Sequence, residues 1–147
     1  MNIKDVIITE LKVIKDDRGK VMHMMRNDSS VFKSFGEIYF STIYKDAVKA
    51  WHLHKEATLN YACIRGKVKL VLFDDREDSS TKLTYEEIIL TPEKYFLISI
   101  PPNIWNGFKG LDEGESIIAN CLNLRHNEKE MVREDPNSKK FQYNWNK

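Results

Sequence analysis

The stretch VKAWHLHK at residues 48–55 places two of the chain's four histidines, His52 and His54, two positions apart in a segment with the character of a β-strand. Side chains two residues apart in a strand point to the same face, so both imidazoles project together, either into the interior of a barrel or toward solvent. An exposed pair on an edge strand fits this spacing equally well. The segments on either side decide between the two alternatives.

The rest of the chain has the pattern of short strands separated by turns. Apolar and polar residues alternate, or β-branched runs occur, roughly every ten residues, at residues 6–13, 20–26, 37–44, 48–53, 59–65, 67–73, 83–90, 95–100 and 116–122. Only residues 127–133 indicate a short helix. The sequence therefore predicts one all-β domain over residues 1–147 with a short C-terminal helical or irregular tail.

Composition argues against several kinds of partner. The chain has 23 Lys and Arg against 22 Asp and Glu, a formal charge of +1, which does not favour binding to nucleic acid or to an anionic membrane. The N-terminal residues have neither the apolar length of a signal peptide nor that of a membrane span. Cys63 and Cys121 lie in apolar runs, as reduced thiols do, although two strand thiols can also form a disulfide. We expect a cytoplasmic protein.

Downstream of the histidine pair come Gly66 and the stretch PPNIWNGF at residues 101–108, an order that resembles the cupins. A metal-binding cupin has His-x-His, then a Glu, a Gly and finally Pro-x-Gly-x-x-His. Here the Glu position is Leu59 and the final His position is Asn106. Two imidazoles alone hold a divalent ion poorly compared with three or four ligands. The resemblance implies a cupin (double-stranded β-helix or jelly-roll) barrel without metal or other cofactor.

Among metal-free cupins, the chain resembles the dTDP-4-dehydrorhamnose 3,5-epimerases over most of its length. Their Asp-x-Arg-Gly matches DDRG at 16–19, and their Arg-Gly-Leu-His matches KAWH at 49–52. Their later motifs match DDR at 74–76, PPNIWNGF at 101–108 and EDP at 134–136. The resemblance implies an epimerase or isomerase of deoxysugar biosynthesis that acts on a nucleotide-linked 4-keto-6-deoxyhexose, with dTDP as the expected nucleotide.

The resemblance also implies roles for individual residues. His52 takes the position of the base that removes a proton beside the ketone, and Asp135 that of the carboxylate fixing its tautomer. His54 is the second catalytic candidate. A tyrosine at position 39, 44 or 61 is either the proton donor or simply packed. The substrate-binding candidates, for a nucleotide-diphosphate sugar, are Arg18, Lys49, Lys55, Arg76 and Asn106.

The chain departs from the epimerases at two positions that carry acids in that family. The family's Lys falls on Leu59 and its catalytic Tyr falls near Asn123, whereas HLHK at 52–55 resembles the dTDP-sugar 3,4-ketoisomerases. Two histidines on one face favour proton transfer on one side of the sugar, as in a keto shift. Single and double epimerisation stay open, and so does a sugar- or nucleotide-binding cupin without catalysis.

The N-terminal strand with Arg18 lies where relatives lend a residue to the neighbouring subunit. The resemblance therefore implies a homodimer of two barrels with swapped edge strands. Such an exchange would also cover sheet edges that are otherwise open to solvent.

Overall fold

The computed structural model describes residues 2–147, which form twelve β-strands and one 3₁₀ turn. The strands are β1 (Ile7–Glu10), β2 (Val13–Asp16), β3 (Gly19–Met22), β4 (Glu37–Tyr44), β5 (Val48–His54), β6 (Leu59–Arg65), β7 (Val68–Asp74), β8 (Thr84–Leu90), β9 (Phe96–Ile100), β10 (Trp105–Gly110), β11 (Glu115–Leu122) and β12 (Met131–Arg133). The 3₁₀ turn covers Glu128–Glu130, immediately before β12.

Two five-stranded antiparallel sheets form the body of the fold. The first has the order β1-β9-β6-β11-β4 and the second the order β12-β5-β10-β7-β8, while β2 and β3 pair as a separate hairpin. From β4 to β7 and again from β9 to β12, successive strands belong to alternate sheets. This crossing between facing sheets is the jelly-roll arrangement, so the predicted all-β barrel is confirmed.

The main core lies between the two sheets. Leu59 and Ile98 from the first sheet and Leu70 from the second are at most 1% exposed, and they belong to one apolar cluster. Burial of each such side chain contributes about 1.5–3 kcal/mol relative to exposure. Both cysteines are buried and free. Burial raises the pKa of the Cys63 thiol to about 11, which keeps it protonated and unreactive.

The C-terminal tail covers the outer face of the second sheet with aromatic side chains. Phe141 stacks on Trp51 of β5 with ring centroids 4.4 Å apart, and the Trp145 ring lies 5.2 Å from Trp51. Trp51 has no exposed surface. Because Trp51 directly precedes His52, the tail packs against the strand that carries the histidine pair on its other face.

We expect Phe141→Ala to lower the free energy of unfolding by about 3 kcal/mol, because it removes a buried ring and leaves a cavity against the sheet. Urea denaturation followed by tryptophan fluorescence measures this loss. Leu83→Ala is the control, since Leu83 is 67% exposed, and its effect should stay below about 0.5 kcal/mol. Equal effects of the two substitutions would contradict a supporting role for the tail.

Strand β10 was not predicted from the sequence because two glycines interrupt its apolar pattern. The structure gives the reason for both. A Cβ at Gly107 would lie 2.4 Å from the Cβ of Ala50, and one at Gly110 would lie 2.3 Å from the carbonyl oxygen of Tyr44. A side chain at either position would collide with Ala50 or with the backbone of Tyr44. Strand β10 therefore needs glycine there to pack closely against these residues.

The helix predicted at residues 127–133 is wrong. Only the 3₁₀ turn forms, and Met131–Arg133 then pairs with β5 as the edge strand of the second sheet. The Glu130 carboxylate bonds to His54, which fixes the turn against the sheet. The tail beyond β12 is irregular. No helix within residues 2–147 is long and apolar enough to cross a membrane.

Candidate active site

A cavity of about 250 Å³ is lined by side chains from both sheets and from the segment around β12. Its lining combines imidazoles, phenols and cations, namely Tyr39, Ser41, Lys49, His52, His54, Tyr61, Phe108, His126, Met131 and Arg133. A larger open groove, of about 650 Å³, lies between residues 10–15 and 92–96, and no histidine lines it. The smaller cavity is therefore the candidate active site.

The alternation of β5 turns both paired histidines into this cavity. Trp51 and Leu53 point outward and belong to the aromatic cluster under the tail, whereas His52 and His54 line the cavity. The expectation that the two imidazoles share one face is confirmed. They face the interior, so the alternative of a solvent-exposed pair is excluded.

A buried carboxylate fixes one of the two imidazoles. His54 Nδ1 lies 2.6 Å from Glu130 Oε2, and both side chains are less than a tenth exposed. The other oxygen of Glu130 accepts hydrogen bonds from the backbone N–H groups of Glu56 and Ala57, at 3.0 and 2.8 Å. Burial opposes the charge, but these donors outweigh it and hold the pKa of Glu130 below its ordinary value. Glu130 is therefore an anion that orients the His54 ring and directs its Nε2 away from this contact.

The expected pair of His52 with Asp135 does not form. Asp135 is exposed, and its Oδ1 accepts the backbone N–H of Asn137 at 2.7 Å, as a turn residue does. The carboxylate beside the histidine pair is Glu130 instead, and its partner is His54. This partner could not be predicted from the sequence, because Glu130 is one of several charged residues in a segment that was expected to be helical.

His52 has no carboxylate partner among the described residues. Burial, reinforced chiefly by the positive charge of Arg133, lowers the pKa of His52 below its ordinary value near 6.5. Its Nδ1 is buried without a hydrogen-bond partner. His52 is accordingly a neutral imidazole at neutral pH, which is the form that can accept a proton.

Two phenols from the first sheet line the same cavity but differ in their hydrogen bonding. Tyr61 donates its proton to Asn106 Oδ1 at 2.9 Å and is fully engaged. Tyr39 instead accepts a hydrogen bond from Asn120 Nδ2 at 3.1 Å, while Asn120 Oδ1 accepts the backbone N–H of Asn60. This orientation of the Asn120 amide leaves the Tyr39 proton free to donate into the cavity. Burial raises the pKa of Tyr39, so the phenol keeps that proton.

Of the five predicted substrate-binding residues, only Lys49 lines the cavity. Its Nζ donates to the carbonyl of Thr42 at 2.6 Å. Lys55 is exposed and does not line the cavity. Arg18 lies in the hairpin, 87% exposed and paired with Asp16.

The remaining two predicted substrate-binding residues have structural roles. Arg76 bonds to the fully buried Asp74 and to Asp5, outside the cavity. Asn106 is completely buried, and besides accepting from Tyr61 it donates to the carbonyl of His52 at 3.2 Å. Bonded at both ends of its amide and without exposed surface, Asn106 joins the two sheets behind the cavity.

Two basic side chains of the cavity could not be identified from the sequence. Arg133 lies on β12, opposite His52 in the strand pairing, and His126 precedes the 3₁₀ turn. Neither belongs to a recognisable motif, and Arg133 fell in the segment predicted to be helical. Only the pairing of β12 with β5 brings it to the site.

The prediction that no metal is bound stays a prediction. Among residues 2–147, no group of three or more His, Cys, Asp or Glu side chains is arranged to hold a metal ion. We expect protein purified without chelator to contain far less than stoichiometric zinc, iron, nickel or manganese by elemental analysis. Stoichiometric metal that is lost in a variant lacking both His52 and His54 would contradict this.

Comparison with known proteins agrees with this arrangement. The model of a family described as dTDP-4-dehydrorhamnose 3,5-epimerase matches residues 1–147. A probable low-salt glycan biosynthesis epimerase, Agl13, of Haloferax volcanii is 32% identical over 121 residues, 81% of this chain and 78% of that protein. The spore coat polysaccharide biosynthesis protein SpsL of Bacillus subtilis is 28% identical over 149 residues, covering 98% and 97%.

The structure of a dTDP sugar isomerase from Desulfovibrio desulfuricans superposes on 98% of this chain and 92% of its own, with a TM-score of 0.95 and 34% identity. Both the fold and the class of enzyme predicted from the sequence are thereby confirmed.

Proposed function

This chain belongs to the dTDP-4-dehydrorhamnose 3,5-epimerase family, and from that membership we propose that it inverts a carbon centre beside the ketone of a dTDP-linked 4-keto-6-deoxyhexose. Inversion needs a base on one face of the sugar ring and an acid on the other. The observation that carries the proposal is the composition of the cavity walls. The imidazoles of His52 and His54 come from the second sheet, and the phenol of Tyr39 comes from the first.

His52 is the proposed base. A 4-keto group acidifies the hydrogen on each neighbouring carbon, and a neutral imidazole within hydrogen-bond reach removes it to leave an enolate. The lowered pKa of His52 keeps this imidazole unprotonated at neutral pH. The residue also occupies the position to which the family resemblance assigns the base.

His54 is the proposed donor to the enolate oxygen. The buried Glu130 carboxylate can hold the Nδ1 proton of this ring and stabilise an imidazolium, whose Nε2–H then donates to the ketone oxygen. Two neighbouring imidazoles in different surroundings thus take different roles, the neutral one as base and the carboxylate-bonded one as donor. This arrangement supplies what the family's Lys, here Leu59, would otherwise provide.

Tyr39 is the proposed acid that returns a proton to the opposite face of the enolate. Among residues 2–147, the hydroxyl of Tyr39 only accepts a hydrogen bond, from Asn120, so its own proton has no acceptor there. The expectation of transfer on one side of the sugar rested on the two histidines, and it left a tyrosine such as Tyr39 as the alternative acid for the opposite face. A keto shift remains the second candidate, since HLHK at 52–55 resembles the ketoisomerases, but Lys55 does not line the cavity.

The test is an incubation of dTDP-4-keto-6-deoxyglucose with the enzyme in deuterium oxide, followed by proton NMR. We expect deuterium at C3, C5 or both, together with a product whose configuration is inverted at a labelled carbon. A product whose ketone has moved to C3 would show that the enzyme is a ketoisomerase and not an epimerase. Deuterium incorporation without any new product would contradict the proposal that an acid protonates the second face of the sugar.

We also propose that the protein is a homodimer. Strand β4 forms a free edge of the first sheet and exposes large apolar side chains, with Phe40 61%, Tyr44 67% and Ile38 49% exposed. An exposed apolar edge strand pairs readily with another chain, and a second copy would cover this surface. Arg18, at the tip of the β2–β3 hairpin, lies outside its own cavity, as a residue lent to a partner would.

Phe40→Glu is expected to convert the dimer to a monomer at micromolar concentration, because it places a charge in the apolar surface that the partner would cover. Sedimentation velocity measures the change. Ile89→Glu is the matched control, since Ile89 is also an exposed apolar residue, at 44%, on the edge strand β8 of the other sheet. It should leave the dimer intact. A wild-type monomer would overturn the proposal.

We propose that the protein is located in the cytoplasm, a compartment that keeps thiols reduced. The support is the state of Cys63 and Cys121, which are both buried and free.

A further inference from the structure

The mouth of the cavity holds a carboxylate between two basic side chains that line the cavity. Glu128 Oε2 lies 2.6 Å from an amino group of Arg133, and Glu128 Oε1 lies 2.8 Å from His126 Nε2. The second amino group of Arg133 also reaches Oε1, at 3.2 Å. Arg133 and His126 both line the cavity, whereas Glu128 does not. One carboxylate therefore occupies the hydrogen-bonding groups that two cavity residues present at its opening.

These donors are arranged as a phosphate site would be. A guanidinium that meets two oxygens of one anion, supported by an imidazole, suits a phosphoryl group as well as a carboxylate. The side chain of Arg133, with that of His126, lowers the pKa of Glu128 to about 2, so the carboxylate is charged throughout the neutral range. Glu128 thus offers these donors two oxygens that share a negative charge, as part of a phosphate would.

Apart from Glu128, no carboxylate of residues 2–147 forms an ion pair that balances the positive charge at the cavity opening. Glu130 is bonded to His54 in the interior, and Lys49 forms no ion pair with any carboxylate of residues 2–147. Without Glu128, the opening would present Lys49, Arg133 and His126 together. A nucleotide diphosphate carries the negative charge that such a cluster favours.

We propose that Glu128 is a displaceable occupant of the diphosphate subsite, which Arg133 and His126 form, and that it must leave them for the nucleotide to bind. The proposal rests on the proposed function, since it assigns the diphosphate of that substrate to these two residues. It differs from the sequence expectation, which assigned the diphosphate chiefly to Arg18 and Lys49.

Displacement of the Glu128 carboxylate from Arg133 and His126 should cost little free energy. The side chains of Glu128, Arg133 and His126 are 62%, 51% and 48% exposed, and ion pairs this open to water are weak. Glu128 begins the 3₁₀ turn whose last residue, Glu130, is fixed to His54. Rotation of the Glu128 side chain alone frees Arg133, and the catalytic end of the turn need not move.

The test is calorimetric titration of the purified protein with dTDP and, separately, with inorganic pyrophosphate. Glu128→Gln keeps the shape of the side chain and removes its charge, and we expect both ligands to bind about two- to fivefold more tightly because a weak exposed ion pair no longer competes. Arg133→Gln is expected to weaken both by about tenfold or more, through loss of a charged bidentate donor. Glu113→Gln is the matched control, because Glu113 is also an exposed partner of a cation, Lys45, and does not line the cavity.

The combination of substitutions separates competition from a general charge effect. In the Arg133→Gln background, Glu128→Gln should give less than about a twofold gain, because its main partner is already absent. Weaker binding in Glu128→Gln would overturn the proposal and make Glu128 a residue that orients Arg133. An equal gain in Glu113→Gln would overturn it as well. Because binding of dTDP needs no turnover, these outcomes are independent of whether the enzyme proves to be an epimerase.

Discussion

Replacing His52 by asparagine should lower the turnover of a dTDP-4-keto-6-deoxyhexose by about two to four orders of magnitude, the usual contribution of a positioned general base. Affinity for dTDP should change little, because the nucleotide is expected to bind at the cavity mouth. Initial rates of deuterium incorporation, measured by NMR in parallel with calorimetry, give both quantities. In the wild type, incorporation should stay level as the pH falls through neutrality and decline only below about 6.5, since the pKa of His52 is lowered and the base must be neutral to act.

His23→Asn is the control for this substitution, because His23 does not line the cavity. It should leave turnover unchanged. If His52→Asn kept normal turnover, the base would be another group, and His54 with its Glu130 carboxylate would be the first to consider. An acid limb displaced above pH about 6.5 would also contradict the assignment, because the surroundings of His52 disfavour its charged form.

Replacing Tyr39 by phenylalanine is expected to separate proton removal from inversion. Loss of the phenol proton should reduce formation of the inverted product by about two to three orders of magnitude. Exchange of the substrate proton with deuterium should persist much better, because His52 can still form the enolate and return a solvent-derived proton to the face from which it was taken. The measurement is the ratio of deuterium incorporated to product formed.

Tyr44→Phe is the matched control for Tyr39→Phe. Tyr44 lies on the same strand, is 67% exposed and does not line the cavity, so its hydroxyl should be dispensable. Parallel loss of exchange and product in Tyr39→Phe would instead mean that the phenol acts before the enolate forms. Unchanged product formation would remove Tyr39 from the mechanism and return the keto shift to first place.

The two missing acids of the family pattern have different explanations in the fold. Leu59 is 1% exposed and belongs to the core between the sheets, where a lysine would have to be buried or to displace its neighbours. The side-chain oxygen of Asn123 accepts the backbone N–H of Thr58 at 2.8 Å and so stabilises a loop. Neither position supplies a proton, and the cavity instead contains His54 with Glu130 and, across from them, Tyr39.

The sequence by itself determined the features that depend on local periodicity. Alternation along a strand is enough to place His52 and His54 on the same side, and the spacing of strands and turns is enough to predict an all-β barrel. The order of motifs was enough to identify the family. These inferences hold because side-chain direction along a strand repeats every two residues whatever the strand pairs with.

Only the tertiary structure decided which groups meet around the histidine pair. Glu130 and Arg133 reach the site because residues 131–133 pair with β5, and Tyr39 faces the histidines because β4 belongs to the opposite sheet. Asp135, which has the family's spacing, lies in an exposed turn. The side chain of Asn106 is hydrogen-bonded to Tyr61 and to the carbonyl of His52. Contacts between segments far apart in sequence follow from how the sheets close and where the last strand docks, and no local pattern encodes either.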